Sequence, residues 1–245
     1  MKTAYLRFYE ELNDFLPAER RKTKFPHNFT GRTSVKDMIE SLGVPHTEVD
    51  MILVNGTSVD FSYIVNDKDE ISVYPVFESF DISDVQHLRT ATLRKPKFIL
   101  DVHLGKLARY MRMAGFDSFY KNNLTDDEIV NISLQEKRTI LTKDRGILKR
   151  NKVTHGYCVR NENVFEQLKE VIERFHLQKE IKEFTRCLEC NSLIMKVDKD
   201  EVISQIPPKV KEWQNEFFQC PSCKKIYWKG SHYDEMEKII SLIKK

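Results

Sequence analysis

Apolar and polar residues alternate with two different rhythms along the chain. Thr3–Tyr9 (TAYLRFY) puts Ala4, Leu6 and Phe8 on one face, the period-two pattern of a half-buried strand. Ser34–Leu42 (SVKDMIESL) has helical spacing, with Ser34 positioned as N-cap and Gly43 as stop. Val49–Val54, Asn55-Gly56 and Ser58–Tyr63 read as a hairpin, because Asn-Gly accepts the positive φ values of a tight primed turn. Asp69–Phe77 (DEISVYPVF) reads as a closing strand, so the front of the chain is expected to be mixed α and β.

Beyond residue 95 strands and helices take turns. Lys97–Leu100 (KFIL) is an apolar strand, and a helix is expected from about Leu104 to Ala114, ending at Gly115. A short strand at Ser118–Tyr120, a helix over Thr125–Lys137 and a buried-type strand at Arg138–Thr142 follow. Thr154–Val159 reads as a strand and Asn163–Phe175 as an amphipathic helix. Strands separated by helices of this length predict a parallel sheet with right-handed crossovers. Ligands of such sheets sit beyond the carboxyl ends of the strands, so the residues just after each strand are the ones to inspect.

Composition sharpens the division. Residues 1–90 carry 10 Lys+Arg against 15 Asp+Glu, and residues 91–245 carry the other 30 against 22 of the chain's 40 and 37. All five cysteines lie in the second part. An acidic front and a basic, cysteine-bearing back imply two modules with different partners, and the basic one admits a polyanion such as nucleic acid. A 40% hydrophobic content excludes wholesale disorder, and no apolar run approaches the roughly 18 residues of a membrane span. Acids interrupt the start of the chain before any hydrophobic stretch, so the expectation is a soluble protein of a reducing compartment, the cytoplasm. Residues 81–95, within an aperiodic, glycine-free stretch, are expected to be a linker.

Acids occupy the positions that the sheet rule singles out. Asp101 follows KFIL, Asp144 follows ILTK, and Asp126-Asp127-Glu128 opens the helix between them. Clustered carboxylates repel unless a cation neutralises them, and oxygen ligands select hard ions, Mg²⁺ or Mn²⁺. Such ions can position a water and stabilise a leaving oxygen in phosphodiester hydrolysis. Each acid also has a purely local reading. Thr125-x-x-Glu128 is a capping box, which accounts for Glu128, and Asp101 and Asp144 could be N-caps of the helices after them. Lys106, Arg109 and Arg112 stand three apart on one helix, while Lys143 and Arg145 flank Asp144. These cations could neutralise phosphate, or could form a solvated face or structural ion pairs.

Cys187-x2-Cys190 and Cys220-x2-Cys223, with 29 residues between them, supply four thiolates for a closed, structural Zn²⁺ site. A disulfide pair and an iron–sulfur cluster are the competing readings. Cys158, in a strand-like run, reads as a buried apolar residue. Val202–Trp213 fills the gap between the pairs. Tyr227-Trp228-Lys229-Gly230-Ser231-His232-Tyr233 could stack on unpaired bases or pack against a zinc knuckle, and His232 is not needed as a ligand.

Two resemblances join these observations. The front strand, helix, Val54-Asn55-Gly56 turn and Asn66-Asp67-Lys68-Asp69 leading into Ile71-Ser72-Val73-Tyr74-Pro75 resemble the ubiquitin-like β-grasp fold of small sulfur carriers. Those carriers end in Gly-Gly; Val76-Phe77-Glu78-Ser79 stands here instead, so the resemblance implies an interaction module for a protein partner and not sulfur transfer. Asp101-x2-Leu104-Gly105-x-Leu107-Ala108-Arg109-x2-Arg112, Thr142-Lys143-Asp144-Arg145-Gly146, Phe184-Thr185-Arg186-Cys187 and Trp228-x-Gly230-Ser231-His232 are similar to the Mut-seven C-terminal RNase domain family. That family is PIN-like with a carboxy-terminal zinc ribbon, and a β-grasp front end is an arrangement it is known to have.

The resemblance implies an α/β architecture in four parts: a β-grasp domain over 1–80, the linker, a PIN-like three-layer α/β domain with a parallel sheet over 96–180, and a zinc ribbon with a terminal helix over 181–245. It implies a divalent-metal site on Asp101, Asp144 and Asp126 or Asp127, with RNA as substrate. PIN nucleases often add a central acid, for which residues 145–170 offer Glu162 and Glu166. The expected function is metal-dependent RNA hydrolysis with Arg109, Arg112, Lys143 and Arg145 on phosphate and Cys187, Cys190, Cys220 and Cys223 on zinc. The competing expectation is a non-catalytic RNA-binding adaptor whose β-grasp module recruits a partner.

Overall fold

A computed structural model describes residues 1–75 and 97–244. The expected linker and the last two residues of the strand expected to end at Phe77 lie outside the described residues. By compactness the chain falls into two units, Met1–Lys95 with Thr142–Cys158 and Pro96–Leu141 with Val159–Lys245.

The front of the chain forms a five-stranded sheet in the order β2 (Phe25–Phe29), β1 (Lys2–Phe8), β5 (Glu70–Pro75), β3 (Val49–Val54), β4 (Thr57–Val59). In β1 (Lys2–Phe8) Ala4, Leu6 and Phe8 are buried as the alternation requires. The sequence pattern does not reveal β2 (Phe25–Phe29): Pro, His and Asn at its centre are poor strand formers, tolerated here because β2 pairs only with β1 and forms an edge. In α1 (Val35–Ser41) Val35, Met38 and Ile39 are buried, and Ser34 Oγ accepts from the Asp37 N–H at 3.1 Å. The hairpin of β3 (Val49–Val54) and β4 (Thr57–Val59) turns through Asn55 at φ +49° and Gly56 at φ +84°. The second strand, expected to run to Tyr63, stops at Val59. Asp60 bends the chain there, its Oδ1 accepting from the Ser62 N–H at 2.7 Å and the Ser62 hydroxyl at 2.6 Å. Finally β5 (Glu70–Pro75) lies parallel to β1 and antiparallel to β3.

The back of the chain begins with β6 (Lys97–Leu100), followed by α2 (Gly105–Met113), β7 (Ser118–Phe119), α3 (Asp126–Glu136) and β8 (Arg138–Thr142). Both β7 and β8 pair with β6 in parallel, with Phe98 opposite Ser118 and Leu100 opposite Leu141. All of β8 and all of β6 but Lys97 are buried, as strands covered on both faces must be. Helix α2 ends at Gly115, where φ is +96° and a Cβ would stand 2.2 Å from the Lys182 carbonyl oxygen, so only glycine fits. After α4 (Arg145–Leu148) and β9 (Gly156–Cys158), α5 (Val164–Arg174) starts from Asn163, whose Oδ1 accepts from the Phe165 N–H at 2.9 Å. It buries Leu168, Val171 and Ile172, and packs on α2.

The ribbon comprises β10 (Met195–Val197), α6 (Lys199–Val202), α7 (Pro208–Trp213), β11 (Phe217–Gln219) and β12 (Ile226–Tyr227), then α8 (Ser231–Ile243). Its strands form an antiparallel sheet, β10-β11-β12. The insertion between the cysteine pairs supplies Val202 and Ile206, which with Phe217 make a small buried core. Among the described residues no helix is long and apolar enough to cross a membrane.

Candidate metal centre and strand-end acids

The cysteine pairs adopt the same local backbone twice. Each first cysteine donates its N–H to the carbonyl five residues on, Cys187 to Ser192 at 2.8 Å and Cys220 to Lys225 at 2.9 Å. Each accepts from the N–H four residues on, Asn191 and Lys224, both at 3.0 Å. Those two residues have φ +71° and +63°, the left-handed bend that turns the chain back around its two thiols. The four Sγ atoms lie within 4.8 Å of one another, with Cys187–Cys223 at 3.5 Å and Cys190–Cys220 at 3.3 Å. A disulfide needs about 2.05 Å. A zinc tetrahedron with Zn–S near 2.3 Å has an S···S edge of about 3.8 Å, so the donor set and its spacing fit Zn²⁺ with all four positions filled.

The thiol protons point the same way. Burial would raise the Cys190 thiol, but hydrogen bonds from Ser192 and the neighbouring sulfurs lower it to about 6. Burial and its three sulfur neighbours push Cys223 up to about 12. Four sulfurs this close cannot all ionise without a cation among them. The Tyr227 hydroxyl lies 3.1 Å from Cys187 Sγ and accepts from the Leu188 N–H at 3.0 Å; burial and the Cys187 sulfur raise its pKa. Trp228 lies against Phe217, 6.4 Å between centroids, and so serves the ribbon core.

Arg112 corrects an expectation. It is 3% exposed, and its guanidinium donates to three carbonyls: Ser118 at 2.9 Å, Leu188 at 3.0 Å and Glu189 at 2.8 Å. An arginine inside the fold and committed to backbone oxygens does not meet phosphate; it ties the first knuckle to α2 and β7. Beside it, Asp117 accepts from Arg138 Nη1 at 2.6 Å and from Asn191 Nδ2 at 2.8 Å, with Arg186 Nη2 3.7 Å away. Burial alone would raise the Asp117 carboxyl, but these bonds and charges outweigh it and hold it below the ordinary value.

The acids do not share one local role. The Asp101 N–H donates to the Leu141 carbonyl at 3.0 Å, extending the β6–β8 ladder by one residue. Asp101 is 5% exposed and opens a 3-10 turn, Val102–Leu104, without a capping bond from its side chain. Asp144 is exposed and caps α4, its Oδ1 accepting from the Gly146 N–H at 2.7 Å. Asp126 and Asp127 are exposed on the first turn of α3, where Thr125 and Glu128 form the expected capping box. Glu128 Oε2 accepts from the Thr125 N–H at 2.8 Å, which with the Thr125 hydroxyl lowers its pKa. Among the described residues, the four thiols are the one set of three or more His, Cys, Asp or Glu gathered closely enough to hold an ion.

Of the remaining predicted residues, Arg109 is exposed, 3.7 Å from Glu189. Arg145 is exposed with its guanidinium 4.8 Å from the Phe15 ring centroid, and Lys143 is half-buried. Glu162 and Glu166 are exposed beside and on α5. The sequence reading misses Glu170 in that stretch, whose carboxylate accepts from the Arg160 N–H at 2.8 Å and the Asn161 N–H at 3.0 Å and so fixes the turn after β9. The i+3/i+4 spacing of α5 marks Glu170 only as a helical position.

A ubiquitin-like sheet followed by a parallel-sheet α/β domain with four clustered cysteines defines a two-module α/β protein. Residues 96–240 match the family model described as the Mut7-C RNAse domain, and residues 1–81 match the one described as Mut7-C ubiquitin. The chain belongs to the Mut7-C RNase domain family. No curated protein and no solved structure matches it.

Proposed function

We propose that the protein is a metal-dependent ribonuclease braced by a structural zinc ribbon. The observation that carries this reading is Asp101, a buried carboxylate at the carboxyl end of the central strand in a domain that matches an RNase family. A hard divalent ion would supply the activated water and stabilise the leaving oxygen. The acids are not gathered into an all-protein cage, and Mg²⁺ is commonly held by one or two carboxylates together with substrate phosphate. Asp101 and Asp144 are our first assignments as ligands, since β6 and β8 run parallel with Leu100 opposite Leu141 and each acid follows the carboxyl end of its strand. Asp126 or Asp127 is the third. Arg109, Lys143 and Arg145 are assigned to phosphate, RNA is the substrate, and the cytoplasm is its place of action.

Cleavage of end-labelled single-stranded RNA with Mn²⁺ tests the assignment. Asp101→Asn with Asp144→Asn is expected to slow cleavage at least about 100-fold, or about 2.7 kcal/mol of barrier. Equal rates for this variant and the wild type would sink it. The ungathered acids also favour a second reading, an RNA-binding adaptor, for which salt-sensitive affinity survives both substitutions and no product forms.

A further inference from the structure

The segment that begins at Asp144 has little structure of its own. Helix α4 has four residues and β9 three, both too short to persist without support. Residues 1–75, which belong to the same compact unit as Thr142–Cys158, add a series of attachments to it.

The attachments recur along the segment. The Arg145 guanidinium lies over the Phe15 ring. Lys149, which follows α4, donates from Nζ to the Glu40 carbonyl at 2.8 Å. Lys36 Nζ donates to Asn151 Oδ1 at 2.7 Å. His46 lies between Glu40 Oε1, 2.6 Å from Nδ1, and the Val153 carbonyl oxygen, 2.8 Å from Nε2. The Cys158 N–H donates to Glu48 Oε1 at 2.6 Å. His46, Thr47 and Glu48 are 8%, 2% and 1% exposed, so these polar groups sit in an interior where each lost bond is felt. On the front module, the donors and acceptors come from the turn before β3 and from α1.

We propose that the ubiquitin-like module is an internal clamp. Its surface around Lys36, Glu40 and His46–Glu48 takes residues 145–158 of its own chain as partner, and by gripping both ends of α4 it positions Asp144. Lys149 and Glu48 are positioning residues, acting through the segment and not on substrate. The positioning half of this inference rests on the nuclease reading of Asp144, whereas the clamp itself does not.

Amide hydrogen exchange and RNA cleavage on the full-length chain test the two halves separately. Lys36→Met with Lys149→Met keeps the aliphatic stems and removes two attachments. It is expected to speed exchange over residues 145–153 about tenfold while Lys97–Leu100 keeps its protection. Glu48→Leu is expected to do the same at residues 156–158, and Glu48→Gln, which keeps the accepting oxygen, to restore wild-type exchange. With Mn²⁺ and RNA, the lysine pair is expected to lower kcat about tenfold with KM within twofold. Unchanged exchange over residues 145–158 in both the lysine pair and Glu48→Leu overturns the clamp. Faster exchange with unchanged kcat overturns the positioning of Asp144. A wild-type chain that binds RNA without cutting it removes the nuclease reading and the positioning half with it, while the exchange result still decides the clamp.

Discussion

The thiols of the ribbon and the acids of the parallel sheet are both residues set at informative spacings, yet they end in different arrangements. Each cysteine pair lies inside one short loop whose own backbone bonds bend it around the sulfurs, so local sequence determines most of the geometry. Two such loops need only to face each other. Asp101, the Asp126-Asp127 pair and Asp144 stand on three different elements, and each is drawn into local work there: a cap at Asp144, a helix start at Asp126 and Asp127, a 3-10 turn at Asp101. A ligand set made within loops is legible before the fold is known; one assembled from strand ends depends on every element between them.

The largest effect expected from this contrast lies at the thiols. Structural zinc in small domains contributes about 10–16 kcal/mol of apparent binding energy, and the ribbon core here is only Val202, Ile206 and Phe217 with partly buried neighbours. Cys220→Ala, or exhaustive chelation, is expected to unfold residues 187–228 while β6, β7 and β8 stay paired. Metal analysis should find one zinc per chain, and amide exchange should show the ribbon losing protection first. A chain that melts identically before and after chelation would contradict the closed zinc site.

How far the sequence carries depends on the same distinction between local and assembled features. The Asn55-Gly56 turn, the Ser34 and Thr125 caps, the Gly115 stop and the buried runs of β6 and β8 are legible because each follows from a few neighbouring residues. Strand β2 is not, since its FPHNF sequence becomes a strand only by lying along β1. Arg112 is misjudged for a related reason. Helical spacing from Arg109 places it on a shared charged face, but the ribbon folds over that face and leaves Arg112 inside, pointed at the carbonyls of Leu188 and Glu189. The attachments of residues 145–158 join positions about 110 residues apart, such as Glu48 and Cys158, and no period or motif announces them.

The junction between ribbon and sheet offers the next largest effect. Asp117 and Arg138 are 2.6 Å apart with side chains 20% and 8% exposed, and Asn191 and Arg186 of the first knuckle reach the same carboxylate. Breaking a fully buried pair from one side costs about 3–5 kcal/mol, and about 2 kcal/mol is expected here, because Arg138 keeps Glu136 Oε2 at 2.6 Å from its Nε. Asp117→Asn is therefore expected to lower stability by about that amount in urea unfolding with zinc bound. The pH dependence has a definite sign. The folded-state pKa of Asp117 lies below its unfolded value, so its contribution is complete above the ordinary carboxylate value near 3.8 and is lost as pH falls through the lower folded-state value. The stability gap between wild type and Asp117→Asn should accordingly close in that acid range. A gap that stays constant down through it would show that the pair is not the source.

The smallest effect addresses the acids. Thr125 Oγ1 accepts from the Glu128 N–H at 3.3 Å, and losing an N-cap of this kind costs about 1 kcal/mol. Thr125→Ala should lower stability by about that amount, by fraying the first turn of α3 that carries Asp126 and Asp127. Asp126→Asn and Asp127→Asn leave the capping box intact and should change stability less than Thr125→Ala does, since each keeps the side chain's length and removes one exposed charge near the helix dipole. Their effect on Mn²⁺-dependent RNA cleavage then separates the two uses of these acids. If one is a metal ligand, its Asn variant loses cleavage with the melt almost unchanged, whereas a helix-start role moves the melt slightly and leaves cleavage alone. Thr125→Ala supplies the control, since it disturbs the same turn without removing a carboxylate.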